Sequence, residues 1–202
     1  MNQLLRPALL LFAFAATSVF ATPAALPADS IYQLESTFSD QYGKQFQLAE
    51  RRGKPQLVAM FYTSCKYVCP LIIDSVKGVE HALTESERSG LAILLVSMDP
   101  ARDDTAALRS VFDKRKLNPT RWTLARADVA AIRKFAAVLG VRYRALIDGE
   151  FNHTSALFLL DAEGRKLASS ARLGAIPDAA FLAAVRAALA PPGRELKKPA
   201  TH

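Results

Sequence analysis

Two stretches of the chain are apolar almost without interruption, Leu57-Val-Ala-Met-Phe-Tyr62 and Leu91-Ala-Ile-Leu-Leu-Val-Ser-Met98. Runs of this length without polar alternation predict strands buried on both faces. Between them Leu71, Ile72, Val76, Val79 and Leu83 recur at helical spacing, which predicts a helix over residues 70–88, and Gly90 ends the connection. After the second run Asp99-Pro100 closes the strand, and Asp103, Asp104 and Thr105 open a helix reaching about Lys116. Arg121 to Leu124 reads as a short strand. Asp128 then caps a helix carrying Ile132, Phe135, Ala136 and Leu139, stopped by Gly140. Residues 141–147 show no clear period. Thr154 to Leu160 predicts a strand, Asp161-Ala-Glu-Gly164 a tight turn and Lys166 to Ala171 an antiparallel partner. A last helix starts at Pro177-Asp178 and runs through Leu189. Upstream, short alternating pieces from Ile31 to Leu48 flank Asp40-Gln-Tyr-Gly43, predicting a β-hairpin with Gly43 where positive φ is needed.

Two doubly buried strands joined through a helix imply a parallel β-α-β unit, because parallel neighbours need a crossover. The closing hairpin adds antiparallel strands. The expected fold is therefore α/β: a thioredoxin-like mixed sheet flanked by helices, with an N-terminal β-hairpin.

With 202 residues, 50% apolar and 22% charged, the chain has enough material for one globular domain. Arg6, the apolar run Ala8 to Val19 and the Val19-Phe20-Ala21 site read as an export signal over residues 1–21. The run is short for a membrane span, which takes about 20 apolar residues. An uncleaved anchor is the alternative. Residues 22–30 read as a linker, 31–190 as the domain and 191–202 as a basic polar tail. The expected address is the periplasm, either soluble after cleavage or tethered to the inner membrane. The net charge of +7 is spread without a basic stripe or interleaved aromatics, so nucleic acid is not an expected partner.

The only two cysteines, Cys65 and Cys69, fall between the first buried strand and its helix. Pro70 disfavours helical dihedrals at Cys69, so the helix is expected to begin at Pro70, with both sulfurs ahead of its positive end and both favoured as thiolates. Such a pair can form a small structural disulfide, act as a redox couple, or hold a soft metal. Two cysteines do not complete a tetrahedral zinc site. In a thioredoxin-like fold the loop before the late strand lies against this turn, and that loop carries His153. Two thiolates and one imidazole suit Cu(I), and Cu(II) with a further weak ligand. His81 lies on the exposed side of its helix, and His202 is the last residue.

Thr63-Ser-Cys65-Lys-Tyr-Val-Cys69-Pro70, Val96-Ser-Met-Asp99-Pro-Ala-Arg-Asp103 and His153 before Leu157-Phe-Leu-Leu-Asp161 together resemble the Sco/SenC family over roughly residues 31–190. The resemblance implies a thioredoxin-like domain that binds copper through Cys65, Cys69 and His153. It further implies a metallochaperone that supports maturation of the copper A centre of cytochrome c oxidase, by copper delivery or by thiol reduction. Its implied partners are the copper A-bearing subunit or another copper protein, together with a periplasmic thiol reductant or copper donor. Family members commonly carry proline after the first cysteine; here Lys66 adds positive charge beside Cys65 and leaves the turn less rigid. Asp99 and Asp103 match the family's acidic motif, and a strand-end turn and a helix cap account for them almost as well. The rival expectation is a thiol–disulfide oxidoreductase or peroxide-reducing enzyme, with Cys65 attacking and Cys69 resolving. A binding module with an inert disulfide is the third.

Overall fold

The computed structural model describes residues 25–65 and 67–191. The export signal over 1–21, the start of the 22–30 linker, Lys66 and all but the first residue of the 191–202 tail lie outside these described residues. Among the described residues nine strands form: β1 (Thr37–Asp40), β2 (Gln45–Gln47), β3 (Gln56–Phe61), β4 (Ala92–Ser97), β5 (Trp122–Arg126), β6 (Tyr143–Ala145), β7 (Phe151–His153), β8 (Leu157–Leu160) and β9 (Lys166–Ser170). Five α-helices accompany them: α1 (Val68–Ala82), α2 (Glu85–Ser89), α3 (Thr105–Lys114), α4 (Val129–Leu139) and α5 (Ala179–Leu189).

Seven strands make one sheet in the order β2-β1-β5-β4-β3-β8-β9. β3, β4 and β5 are parallel neighbours, while β8 joins β3 antiparallel. Every residue of β3 is buried, and so are five of the six in β4, so the sheet is covered on both faces as the two apolar runs required. The N-terminal hairpin forms as read, with Gly43 at φ 82°. The mixed sheet flanked by helices is the architecture expected.

Two expectations need correction. The single helix over 70–88 is two helices, because Thr84 and Glu87 form a capping box that starts α2 afresh. Residues 141–147 are not patternless: β6 pairs with β7 in a separate hairpin, closed at Asp148-Gly149, with Gly149 at φ 82°.

The register decides what meets at the carboxyl edge. Phe61 lies opposite Ser97, and Val58 opposite Phe158 on antiparallel β8. The segments after β3, after β4 and before β8 therefore converge at one end of the sheet. α1 holds the first of these segments, and it is fixed along its length. Glu80 is buried and accepts hydrogen bonds from Arg121 Nε (2.8 Å) and Trp122 Nε1 (2.7 Å). Ser75 Oγ accepts the Gly174 amide at 2.7 Å. At Gly78 the helix backbone packs directly on the 171–178 segment, where an added Cβ would stand 2.2 Å from the Ala175 carbonyl oxygen.

Gly78→Ala separates propensity from packing. Helix propensity alone favours the alanine by about 1 kcal/mol. Overpacking against fixed backbone costs about 1–3 kcal/mol. Urea unfolding is expected to show a net loss of stability; a gain would mean that the 171–178 segment yields freely.

Candidate metal centre

The cysteine turn is built around sulfur acceptors. α1 begins at Val68, two residues before the expected start, so Cys69 sits inside its first turn and not ahead of it. Pro70 is tolerated there because the first-turn N–H groups have no intrahelical acceptor to lose. Tyr67, the capping residue, supplies no side-chain cap. Cys65 Sγ takes that place, accepting the Cys69 amide at 3.3 Å. Cys69 Sγ in turn accepts the Tyr62 amide at 3.3 Å. Both cysteines are buried free thiols.

Their ionisation is split. Burial pushes the Cys65 thiol up, but the amides of Cys69 and Tyr67, the Cys69 thiol and the Tyr62 side chain outweigh it and hold Cys65 below the ordinary thiol value. Burial drives Cys69 well above that value; the neighbouring charges of Cys65 and Asp103 reinforce the rise, and the Tyr62 amide only partly offsets it. The expectation that both sulfurs favour the thiolate is thus corrected. The helix-start amide lies on Cys65, whereas Cys69 is enclosed.

The acidic motif is not simply a turn and a cap. Asp104 caps α3, accepting the Ala107 amide at 2.7 Å. Asp103 is fully buried and accepts from the Thr63 amide (2.9 Å), the Thr63 hydroxyl (2.5 Å) and the Ser97 hydroxyl (2.5 Å). It ties the cysteine turn to the end of β4. Asp99 pairs with Arg102, whose guanidinium also donates to the Gly149 carbonyl and lies 5.9 Å from the Phe151 ring centroid.

Tyr62 links the turn to the β6–β7 hairpin. Its hydroxyl donates to Glu150 Oε2 at 2.6 Å and accepts the Phe151 amide at 3.4 Å. Its ring meets Phe151 edge-on at 5.1 Å and His153 at 5.9 Å. Burial and the Glu150 carboxylate raise the Tyr62 hydroxyl far above its ordinary value, so it stays a donor. His153 is half-buried at the end of β7, not at the mouth of β8. Its Nδ1 lies 3.1 Å from the Thr154 carbonyl and 3.3 Å from the Ser155 hydroxyl, so Nδ1 is engaged locally and Nε2 is the ring nitrogen open to a ligand.

The structure therefore brings Cys65 and Cys69 together, and links His153 to them through Tyr62, whose amide donates to Cys69 Sγ and whose ring meets the imidazole. Among the described residues, no three His, Cys, Asp or Glu side chains stand close enough to share one ion as placed. His81 is exposed on α1, and His202 lies outside the described residues. Sequence reading points to Asp103 only as part of the acidic motif, and does not single out Tyr62, Arg102 or Glu150 as site residues. A tyrosine ending an apolar strand needs a partner for its hydroxyl, and Asp148-Gly149 is a hairpin-turn signal; both were available.

Comparison with known proteins covers most of the chain. The SCO1/SenC family model matches residues 27–189. The SCO1 protein homolog of Bacillus subtilis (strain 168) is 25% identical over 143 residues, spanning 67% of this chain and 72% of that protein. Bradyrhizobium japonicum ScoI, solved with copper bound, superposes with a TM-score of 0.63 at 24% identity, covering 75% of this chain and 96% of that one. BsSco, described as a member of the Sco family of cytochrome c oxidase assembly proteins with a disulfide switch, superposes at 0.64 with 20% identity, covering 76% and 90%. These likenesses bear out the thioredoxin-like fold. This chain belongs to the SCO1/SenC family.

Proposed function

We propose that the chain is a periplasmic copper-binding protein that supports maturation of the copper A centre of cytochrome c oxidase. Copper is its cargo, held by the Cys65 and Cys69 thiolates with His153 Nε2 as third ligand. One observation carries the reading: two free thiols share the helix-start turn, and Tyr62, whose amide donates to Cys69 Sγ, sets its ring 5.9 Å from the His153 imidazole. Two soft sulfurs and one imidazole nitrogen form a donor set that favours Cu(I) and admits Cu(II). The copper-bound Bradyrhizobium japonicum relative and the oxidase-assembly description of BsSco support the same reading.

Each residue has a part. Cys65 offers a ready thiolate for first capture. Cys69 must release its proton before it can ligate, so loading discharges acid and is favoured as pH rises. Asp103 holds the turn through Thr63, and Tyr62 with Glu150 holds the His153 hairpin against it. Onward transfer to the copper A-bearing subunit or another copper protein proceeds by ligand exchange, with a periplasmic donor or thiol reductant preparing the pair. Export through residues 1–21 would place the protein in the periplasm. No helix of the described residues is long and apolar enough to cross a membrane.

The same split pair also supports thiol–disulfide exchange. The Cys65 thiolate attacks a client disulfide and one client sulfur leaves as thiolate. Cys69, deprotonated, then attacks Cys65 in the mixed disulfide, releasing the client as a dithiol and leaving Cys65–Cys69 oxidised. Turnover of a disulfide or peroxide by metal-free protein would give this reading precedence.

Competition titration of Cu(I) into reduced protein tests the ligand set. His153→Ala is expected to weaken binding by at least about tenfold; unchanged affinity would remove His153 from the site. Tyr62→Phe removes the hydroxyl between turn and hairpin, a net cost of about 1.5–3 kcal/mol for a hydrogen bond to a charged group. Its effect on copper affinity is expected to be smaller than that of His153→Ala and to vanish when His153 is already alanine. Additive losses would mean that Tyr62 acts independently of the histidine.

A further inference from the structure

The cysteine turn has two flanks. One is closed by Tyr62, Glu150 and the His153 hairpin. The other opens into a cavity of about 130 Å³ between α1 and α3. Its lining takes in Cys65 and Cys69 themselves, Tyr62 between the two flanks, Ile73 from α1 and Val111 from α3, and among the described residues none from the hairpin. A dry apolar cavity of about 150 Å³ admits a benzene ring, so this one has room for about one aliphatic side chain. Tyr67, which precedes α1, and Leu71 in its first turns are exposed, at 80% and 46%.

The cavity's rim is cationic. Lys114 and Arg115 line it from the end of α3. Arg115 is paired with Asp74, and nearby Asp113 is paired with Arg109. Lys114 is exposed and, among the described residues, has no carboxylate partner. Asp103 is buried and consumed by Thr63 and Ser97, and Glu150 is held by the Tyr62 hydroxyl on the other flank. An apolar socket beside reactive sulfurs, edged by an unpaired cation, complements an aliphatic side chain adjoining a carboxylate.

We propose that this cavity is the docking site for a client polypeptide. The client is recognised by an aliphatic side chain that enters between α1 and α3 and by an adjacent acidic residue that pairs with Lys114. The client's own cysteine is thereby presented to Cys65 from the flank the hairpin leaves open. The inference rests on the reading that Cys65 and Cys69 act on another protein.

Short synthetic peptides test it. Each carries one cysteine as a mixed disulfide with thionitrobenzoate, flanked by Leu and Glu, by Leu and Lys, or by Ala and Glu. Attack by the Cys65 thiolate joins it to the peptide sulfur and releases the coloured thionitrobenzoate, which gives the rate with full-length, reduced, metal-free protein. At low ionic strength the Leu/Glu peptide is expected to react roughly tenfold faster than the Leu/Lys peptide, as electrostatic steering allows, and faster than the Ala/Glu peptide.

Lys114→Glu should reverse the charge preference, whereas Lys54→Glu, at the opposite end of β3, should leave it standing. Val111→Phe, which fills the socket, should abolish the Leu-over-Ala preference. Equal rates across peptides, or a charge preference that survives Lys114→Glu, would overturn the docking site. Oxidised glutathione serves as the probe of the thiols alone. If the peptides show no preference while glutathione still reacts at Cys65, docking fails and the thiol reading stands; if neither reacts, the thiol reading itself fails.

Discussion

A hydrogen bond from the Cys69 amide to Cys65 Sγ, 3.3 Å long, does at the start of α1 what a serine or aspartate oxygen does at other helices. Tyr67 provides no side-chain cap, so the sulfur meets the demand of an otherwise orphaned donor. The exchange works in both directions. The helix gains an acceptor, and the sulfur gains a donor that favours its anionic form. Oxidising Cys65 or binding it to a metal alters the charge on that acceptor, so the chemistry of the site and the entry into α1 are coupled. The far end of the helix resists such adjustment, anchored at Glu80, Ser75 and Gly78.

The second constraint is burial. Cys69 is enclosed between β3 and the first turn of α1, and its one amide donor, from Tyr62, does not offset the loss of water. Two sulfurs four residues apart thus differ in kind. A symmetric pair would lose both protons together and invite indiscriminate oxidation. A split pair keeps one sulfur ready and the other protonated until a ligand or an adjacent sulfur draws the proton off. Tyr62 extends the same economy to the hairpin, since one residue gives its amide to Cys69, its hydroxyl to Glu150 and its ring edge to Phe151 and His153.

Much of this was legible in the chain. The two apolar runs announced doubly buried strands, Gly43 and Gly140 stand at positive φ where turn and helix stop were placed, and Asp128 and Asp178 cap the helices they precede. The cysteines and His153 fall at the carboxyl edge where the topology was expected to gather them. What escaped was set by tertiary geometry or by weak local signals. Pro70 argued for a later helix start, but the Cys65 sulfur stabilised an earlier one. Asp103 and Asp104 are adjacent acids, and only the packing of β4 against the turn reveals that one caps while the other grips Thr63. The β6–β7 hairpin is short and largely exposed, so its strands lack the alternation that marks a half-buried pair.

The account stands most directly on the inequality of the two thiols. Alkylation of reduced, metal-free protein, followed by mass spectrometry that assigns the label to each cysteine across a pH series, measures it. Cys65 is expected to label first, with its reactivity rising at a pH below that of a free thiol. Cys69 is expected to stay unlabelled until well above that pH, consistent with the opposite directions in which helix-start donors and burial move the two groups. Joint labelling of both cysteines at the ordinary thiol pH, or earlier labelling of Cys69, would contradict it.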